Sequence, residues 1–233
     1  MRLVFEACVA GVESALAAQE GGADRVELCA DLTAGGVTPS AGVIAVVCRR
    51  LEIPLHVLIR PRELDFLYSE LEFDAMRHDV DTAKTLGAAG IVLGLLTPHG
   101  SIDRERTARL IEAARPLSVT FHKAFDAVRD QDQALELLIA LGVERILTSG
   151  GAPTVRAGLP RLAELVRISA GRIVIMAGGQ IHAEDLFQIA TAHVREVHAG
   201  SALRTGPVTD VEKVRRFAQA ARVAAESAQR GGA

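Results

Sequence analysis

The sequence is poor in aromatic residues and carries little net charge. Its 233 residues include seven Phe, one Tyr and no Trp, and 26 Lys and Arg nearly balance 29 Asp and Glu. Nucleic-acid-binding surfaces need basic patches and aromatic stacking platforms, and anionic membranes attract polybasic segments. We therefore expect no nucleic acid and no membrane among the partners of this protein.

Cysteines and long apolar segments are also scarce. Three cysteines are an odd number and too few for a disulfide scaffold. No apolar run reaches the ~18 residues that a membrane span needs. Met1-Arg2 leads directly into a predicted strand, without the features of a signal peptide. These absences predict a cytoplasmic protein with reduced thiols.

Short apolar runs that alternate with helix-length segments dominate the chain. The predicted strands span residues 3–8, 25–29, 54–59, 90–94, 118–122, 144–148, 172–176 and 195–198. Eight strand-then-helix units predict an α/β protein whose parallel sheet closes into a (β/α)8 TIM barrel. An open doubly wound sheet would need a Gly-rich dinucleotide fingerprint after the first strand, and that fingerprint is missing. We expect a single domain over residues 1–233, ending in an amphipathic helix at 210–230.

Polar side chains share one face of several predicted strands, because side chains alternate with period two. The first two strands end in Glu6 with Cys8 and in Glu27 with Cys29, and the helix between them makes them parallel neighbours. The same faces also carry His56, Arg60, Thr120, His122, Thr148, Glu196 and His198. The alternate positions are apolar and suit packing beneath the helices. The polar set is therefore predicted to point into the barrel, where reacting groups gather at the C-terminal strand ends.

Burying this many polar groups is unfavourable unless they pair with one another or bind a ligand. One interpretation is an internal Glu6/Glu27–Arg60 ion-pair network that only fixes barrel closure. The other is an enzyme that acts on a small phosphorylated or carboxylated metabolite, with Arg60 holding the anion. The candidate catalytic residues of that enzyme are Glu6, Glu27, Arg60, His122, Asp126 and His198.

The cysteines suggest a metal-binding alternative. Cys8 and Cys29 are predicted at adjacent strand ends on the inward face, whereas Cys48 lies in an apolar helix segment typical of core. A pair of soft thiolates suits Cu(I), while zinc prefers four ligands and the sequence contains no C-x-x-C pair. A catalytic pair of cysteine with His122 or His198 is a further alternative.

Two glycine-rich loops follow the last two predicted strands. Gly178 and Gly179 lie in one loop, and Gly200 and Ser201 lie in the other. Small residues at these places expose backbone N–H groups and form the usual phosphate site of this architecture, although glycine also simply permits tight turns. We predict an anion site there. Lys123 is disfavoured as a Schiff-base lysine, because its strand parity points away from the barrel axis unless the strand ends before it.

The chain resembles the CutC family of copper homeostasis proteins. The matching segments are Glu6-Ala-Cys-Val9, Val12-Glu-Ser-Ala-Leu-Ala-Ala18, Gly21-Gly-Ala-Asp-Arg-Val-Glu-Leu-Cys29, Gly35-Gly-Val-Thr-Pro-Ser40, Ile59-Arg-Pro-Arg62, Asp65-Phe-Leu-Tyr-Ser69, Thr120-Phe-His-Lys-Ala-Phe-Asp126 and Arg145-Ile-Leu-Thr-Ser-Gly150. The resemblance covers about residues 1–204. It implies a cytoplasmic TIM barrel linked to copper tolerance or trafficking, and a homodimer or larger homo-oligomer. Cys8 and Cys29 match the family's proposed Cu(I) thiols.

The chain departs from the family pattern at several loops. Glu63-Leu64 replaces a usual Gly-Gly, Lys123 replaces Arg, and Ala177-Gly-Gly-Gln180 replaces Pro-Gly-Gly-Gly. The segment from His198 to Arg204 is longer than the usual His-x-Ser-Ala-Arg. Because these changes lie in the presumed ligand loops, the sequence leaves two hypotheses open: a Cu(I)-handling protein and a metabolic enzyme.

Overall fold

The computed structural model describes residues 2–231 as alternating strands and helices. The strands are β1 (Val4–Ala10), β2 (Arg25–Cys29), β3 (Leu55–Leu58), β4 (Gly90–Leu93), β5 (Ser118–Phe121), β6 (Arg145–Thr148), β7 (Val174–Gly178), β8 (Glu196–Ala199), β9 (Arg204–Thr205) and β10 (Val208–Thr209). The helices are α1 (Val12–Glu20), α2 (Ala41–Arg50), α3 (Glu70–Thr85), α4 (Arg104–Ala114), α5 (Gln131–Leu141), α6 (Val155–Ser169), α7 (Leu186–Thr191) and α8 (Val211–Gly231). Short 3-10 turns cover Leu32–Ala34, Lys123–Ala127, Ala183–Asp185 and Ser201–Leu203.

The first eight strands form a closed parallel barrel in sequence order, and β8 pairs with β1. This confirms the predicted single-domain (β/α)8 TIM barrel. The register places Cys8 beside Glu27 on β2, and Glu6 beside His198 on β8. Because the strands are parallel, their C-terminal ends collect these side chains at one face of the barrel.

Local sequence signals set several helix boundaries. Ser69 accepts a hydrogen bond from the backbone N–H of Glu72, and the Glu72 carboxylate accepts one from the N–H of Ser69, which forms the predicted capping box at α3. Gly142 ends α5 with φ of 77°, a left-handed conformation that glycine adopts without a steric penalty. Among residues 2–231, no helix is both long and apolar enough to cross a membrane.

Two apolar regions lie on opposite sides of the barrel wall. The main core fills the space between strands and helices, and it includes Val26, Leu28, Leu55, Val57, Ile59, Val119 and Phe121. These are the alternate strand positions that the sequence predicts to be apolar. A second, smaller cluster of Cys29, Leu58 and Val92 has Cys8 packed against it. The C-terminal part of the barrel interior is therefore partly apolar beside the thiols.

Three strand boundaries differ from the prediction in ways that matter for the site. β1 continues to Ala10 and β7 continues to Gly178, so Gly178 lies within a strand rather than in a loop. β5 ends at Phe121, and a 3-10 turn begins at Lys123. Strand parity therefore does not set the direction of the Lys123 side chain, because the chain leaves the pleated conformation before reaching it.

Candidate functional site

The two strand-end thiols lie next to each other at the C-terminal side of the barrel interior. The Sγ atoms of Cys8 and Cys29 are 3.9 Å apart, and neither cysteine forms a disulfide. Cys29 is buried and its thiol donates to the carbonyl of Val9 at 3.3 Å, whereas Cys8 is partly exposed. The fold thus brings together two thiols that are 21 residues apart in sequence.

A carboxylate and an imidazole complete this cluster. Cys8 Sγ lies 3.5 Å from Glu27 Oε1, and one ligand atom from each of Cys8, Glu27 and His198 falls within 4.8 Å of the others. Glu27 Oε2 is buried and has no hydrogen-bond partner among the described residues. We call Cys8, Cys29, Glu27 and His198 the thiol cluster. Sequence spacing does not reveal this donor set, because it comes from β1, β2 and β8.

Buried charges surround the thiol cluster. The His198 Nδ1 atom is 2.8 Å from Glu6 Oε1, and Arg25 Nε donates to Glu6 Oε2 at 2.5 Å. Arg25 also bridges to Glu196 at 2.5 Å, and Arg145 donates to the same Glu196 oxygen at 3.2 Å. This chain of ion pairs ties β1, β2, β6 and β8 together across the barrel interior.

The composition of the buried network corrects one sequence-based interpretation. Arg25, rather than Arg60, is the cation that pairs with Glu6. Arg25 shares the strand parity of Glu27 and Cys29, so the period-two pattern contained this signal. Arg145, which joins the network through Glu196, begins a strand whose inward positions are Arg145 and Leu147. Thr148 consequently lies on the opposite side of that strand, contrary to the prediction.

Neighbouring charges shift the pKa values of Glu6 and His198 in opposite directions. Burial alone would raise the pKa of Glu6, but the Arg25 guanidinium and His198 outweigh it and hold that pKa well below its usual range. Burial would lower the pKa of His198, yet Glu27, the Cys8 thiol and Glu6 raise it well above the ordinary value. Glu6 and His198 therefore form an ionised pair at neutral pH.

The Cys8 thiol and the Glu27 carboxyl both have raised pKa values, so they keep their protons to a higher pH than usual. The hydrogen bond to Cys29, followed by burial and the Glu27 carboxylate, raises the pKa of Cys8 well above its ordinary value. Burial and the neighbouring Glu6 charge also raise the pKa of Glu27, against the opposing effect of His198. Any cation that enters the cluster must displace these protons.

Arg60 is buried but is already occupied by backbone groups. Its Nη1 donates to the carbonyls of Gly36 at 2.8 Å and of Ala34 at 3.2 Å. Its guanidinium carbon lies 5.3 Å from the ring centroid of Phe66. Arg60 therefore joins the loops after β2 and β3, and only its Nε lacks a hydrogen-bond partner among the described residues.

His122 is buried near the end of β5. Its Nδ1 accepts a hydrogen bond from the N–H of Ala124 at 3.1 Å, and its ring lies 4.9 Å from the ring of Phe66. Gly94 makes room for the ring, since a Cβ there would lie 2.3 Å from His122 Cε1. Burial, followed by the Arg60 charge, lowers the pKa of His122 to about 3, so the imidazole is neutral.

A second polar cluster lies at the ends of β5, β6 and β7. The Lys123 Nζ atom donates to Asp126 Oδ2 and to Ser149 Oγ, both at 2.8 Å, and approaches the carbonyl of Gly178 at 3.4 Å. Asp126 also accepts from the hydroxyl of Thr148 and from the backbone N–H of Ser149. Asp126 is one of the candidate catalytic residues predicted from the sequence, and its carboxylate links the turn after β5 to the end of β6 and the loop that follows.

The glycines of the predicted anion site make close approaches to other side chains. A Cβ at Gly178 would lie 3.1 Å from Cβ of His198, and one at Gly200 would lie 3.3 Å from Cβ of Cys8. A Cβ at Gly179 would lie 3.0 Å from Lys123 Nζ. Packing alone thus accounts for small residues there. Ser201 is exposed at the start of a three-residue 3-10 turn.

Comparisons with known proteins converge on one family. The family model of the CutC family matches residues 3–203. A human protein described as a copper homeostasis protein cutC homologue is 50% identical over 186 residues, which cover 80% of this chain and 68% of that protein. A family protein CutC from Chromobacterium violaceum is 46% identical over 217 residues, covering 93% of this chain and 87% of that protein.

Solved structures show the same relationship. A crystal structure described as the copper homeostasis protein CutC from Streptococcus agalactiae superposes with a TM-score of 0.81 at 34% identity, covering 85% of this chain and 98% of the other. Phosphoribosylanthranilate isomerase from Thermotoga maritima reaches a TM-score of 0.64 at 14% identity, with 95% and 99% covered. At that identity the second likeness shows the barrel fold alone.

Proposed function

The chain belongs to the CutC family, and from that premise we propose that it serves copper homeostasis by binding Cu(I) through the thiols of Cys8 and Cys29. The observation that carries this proposal is the 3.9 Å separation of the two sulfurs. With metal–thiolate bonds of about 2.3 Å, the value for zinc, one ion can bridge sulfurs up to about 4.6 Å apart. Thiolates are soft ligands that favour Cu(I), as well as zinc and iron–sulfur clusters, over hard cations, and two sulfurs are fewer than the four ligands that zinc prefers.

The remaining members of the thiol cluster support a third ligand. His198 contributes an imidazole nitrogen beside Cys8, and imidazole also binds copper. The ion pair with Glu6 fixes the orientation of the His198 ring, as a carboxylate does for many metal-bound histidines. Glu27 adds a carboxylate beside the sulfurs, and its Oε2 has no hydrogen-bond partner among the described residues.

The experiment is an anaerobic Cu(I) titration against a coloured competing chelator. Wild-type protein is compared with the Cys8→Ser/Cys29→Ser double variant and with His198→Gln. Cys48→Ser is the matched control, because Cys48 lies in α2 rather than at the barrel face. We expect one-to-one binding that Cys48→Ser leaves unchanged, that His198→Gln weakens by about tenfold or more, and that the double variant abolishes.

Two results would contradict the copper proposal. One is binding that the double variant retains at wild-type strength, since the sulfurs would then not be the ligands. The other is equal weakening by Cys48→Ser, which would indicate non-specific binding by free thiols. Either result would shift the function to a metabolic enzyme.

A second candidate function is an enzyme acting on a small phosphorylated or carboxylated metabolite. It is favoured by buried polar atoms without partners at the same barrel face, Glu27 Oε2, His122 Nε2 and Arg60 Nε. Glu6, Glu27, His122, Asp126 and His198 remain its proposed acid–base groups, with Gly178, Gly179, Gly200 and Ser201 as the proposed anion site. Turnover of such metabolites that His122→Gln abolishes and His99→Gln preserves would support this candidate.

Location and assembly complete the proposal. We place the protein in the cytoplasm, where its three free cysteines stay reduced. Self-association into a homodimer or larger homo-oligomer is supported by an apolar groove between α6 and α7, in which Phe187 is 52% exposed. Light scattering coupled to size-exclusion chromatography measures the assembly, and Phe187→Ser is expected to weaken it.

A further inference from the structure

The barrel has a polar cavity at the end opposite to the thiol cluster. This cavity of about 580 Å³ opens at the N-terminal ends of the strands. Arg25, His56, Ser118 and Arg145 line its interior, and Arg2 lies at its rim. TIM-barrel interiors are normally filled by bulky branched side chains. Charged and polar side chains at this position are therefore a departure from ordinary barrel packing.

Two guanidinium groups in the cavity have unused donors. Hydrogen bonds engage Nε and Nη2 of Arg25, and Nε and Nη1 of Arg145. Within residues 2–231, Nη1 of Arg25 and Nη2 of Arg145 form no hydrogen bond. Neither atom is fully buried, so a ligand can reach both. Each arginine therefore retains N–H groups that can donate to a ligand.

The buried imidazole of His56, beside the cavity, also lacks a hydrogen-bond partner among the described residues. His56 is 3% exposed, lines the cavity, and its Nδ1 has no hydrogen-bond partner among the described residues. Its distance to Glu6 Oε2 is 3.9 Å, which is too long for a hydrogen bond. Gly90 lies directly against the ring, since a Cβ there would be 2.6 Å from His56 Nε2. The absence of a side chain at Gly90 therefore leaves room for this ring beside the cavity.

The acidic groups near the cavity are already committed. Glu6 pairs with Arg25 and His198, and Glu196 pairs with Arg25 and Arg145. At the rim, Asp24 pairs with Arg2 and also accepts from the N–H of Phe5. The guanidinium N–H groups that remain free in the cavity are hydrogen-bond donors, which favours an acceptor-rich ligand.

We propose that this N-terminal cavity binds a small oxyanion, either free phosphate or the phosphate or carboxylate group of a small metabolite. The planar fork of a guanidinium matches such groups, and charge-assisted hydrogen bonds to them are stronger than neutral ones. Ser118 supplies a hydroxyl next to Arg145 Nη1, at 2.6 Å. The site needs neither the thiols nor Cu(I), so it stands independently of the proposed function.

A purely structural role for Arg145 is the competing explanation. Its bonds to Glu196, Ser118 and Thr120 would by themselves hold β5, β6 and β8 together. If Arg145 has only this structural role, its free Nη2 and the cavity beside it have no ligand, and the protein should bind no anion there. A direct binding measurement therefore separates the two roles.

The experiment is a calorimetric titration with inorganic phosphate at low ionic strength, repeated with acetate and with glycerol 3-phosphate. We expect saturable one-to-one phosphate binding that Arg145→Gln weakens by about tenfold or more. Ala89→Phe fills the cavity rim without changing any charge and should have the same effect. Arg77→Gln removes an exposed charge on α3 and is the matched control. Tighter binding of glycerol 3-phosphate than of phosphate identifies a metabolite as the ligand.

Independent variants keep the test decisive. Cys8→Ser/Cys29→Ser should bind phosphate like wild type, whatever happens to its Cu(I) binding. If Arg145→Gln does not fold, Ala89→Phe alone decides, because it leaves the ion-pair network intact. Absence of saturable binding in wild type, or equal binding in wild type and Ala89→Phe, overturns the proposal.

Discussion

His122 illustrates how a single buried residue links stability to pH. Burial, with a smaller effect of the Arg60 charge, lowers its pKa from 6.5 to about 3. Between these values the unfolded chain binds a proton that the folded protein does not, so the free energy of unfolding rises with pH. Stability from this group is therefore complete above pH 6.5 and is lost on acidification toward pH 3.

The effect of His122 on the pH dependence of stability can be measured. Acidification from pH 7 to pH 5 should cost about 2 kcal/mol of unfolding free energy through His122 alone. Urea denaturation at both pH values measures it, and His122→Gln should remove that part of the pH dependence. His99→Gln is the control, since His99 is exposed. If both variants keep the full wild-type slope, His122 is not the group responsible.

At the scale of elements, Asp126 connects the turn after β5 with the loop after β6. Its carboxylate accepts from Lys123 Nζ, the Thr148 hydroxyl and the backbone N–H groups of Ser149 and Gly151. The Lys123 charge and these hydrogen bonds outweigh the effect of burial and lower the pKa of Asp126. The pattern is that of a structural anchor with an ionised carboxylate.

Replacement of Asp126 should therefore lower the stability of the protein. Asp126→Ala is expected to lower the free energy of unfolding by about 2–4 kcal/mol, because it leaves buried donors without an acceptor. Chemical denaturation measures the loss. Asp74→Ala, which removes an exposed carboxylate that pairs with Arg77 at 3.3 Å, should change stability by less than about 0.5 kcal/mol. Similar small effects of both substitutions would contradict the anchor role.

At the scale of the whole molecule, α8 closes the outer ring of helices. It packs between α7 and α1 and covers the start of β1, where the rings of Phe217 and Phe5 are 4.7 Å apart. Phe217 is 3% exposed, while Val223 on the same helix is 50% exposed. The junction between the last and the first strand therefore depends on a helix at the end of the chain.

The contribution of this closure can be measured in the whole protein. Phe217→Ala should lower the free energy of unfolding by about 3–5 kcal/mol, through lost burial and the cavity left behind. Val223→Ala should cost less than about 0.5 kcal/mol. Comparable losses in both variants would show that α8 does not close the barrel at Phe217.

Much of the candidate site follows from strand parity. Glu6, Cys8, Glu27, Cys29, His56, Glu196 and His198 face the interior as predicted, because period-two alternation survives wherever the chain stays pleated. The prediction was wrong for Thr148, and strand parity does not apply to Lys123. β5 ends two residues before Lys123, and the inward set of β6 is shifted by one residue relative to the prediction.

Strand alternation, helix capping and helix-ending glycines are local signals, and they suffice to predict the barrel and two thiols at neighbouring strand ends. Which groups meet depends on the folded barrel: Arg25 rather than Arg60 lies beside Glu6, and His198 lies beside Cys8. The physical reason is that barrel closure fixes the register between β8 and β1, two strands separated by nearly the whole chain. No local pattern encodes that register, and the ion pairs and the thiol cluster both depend on it.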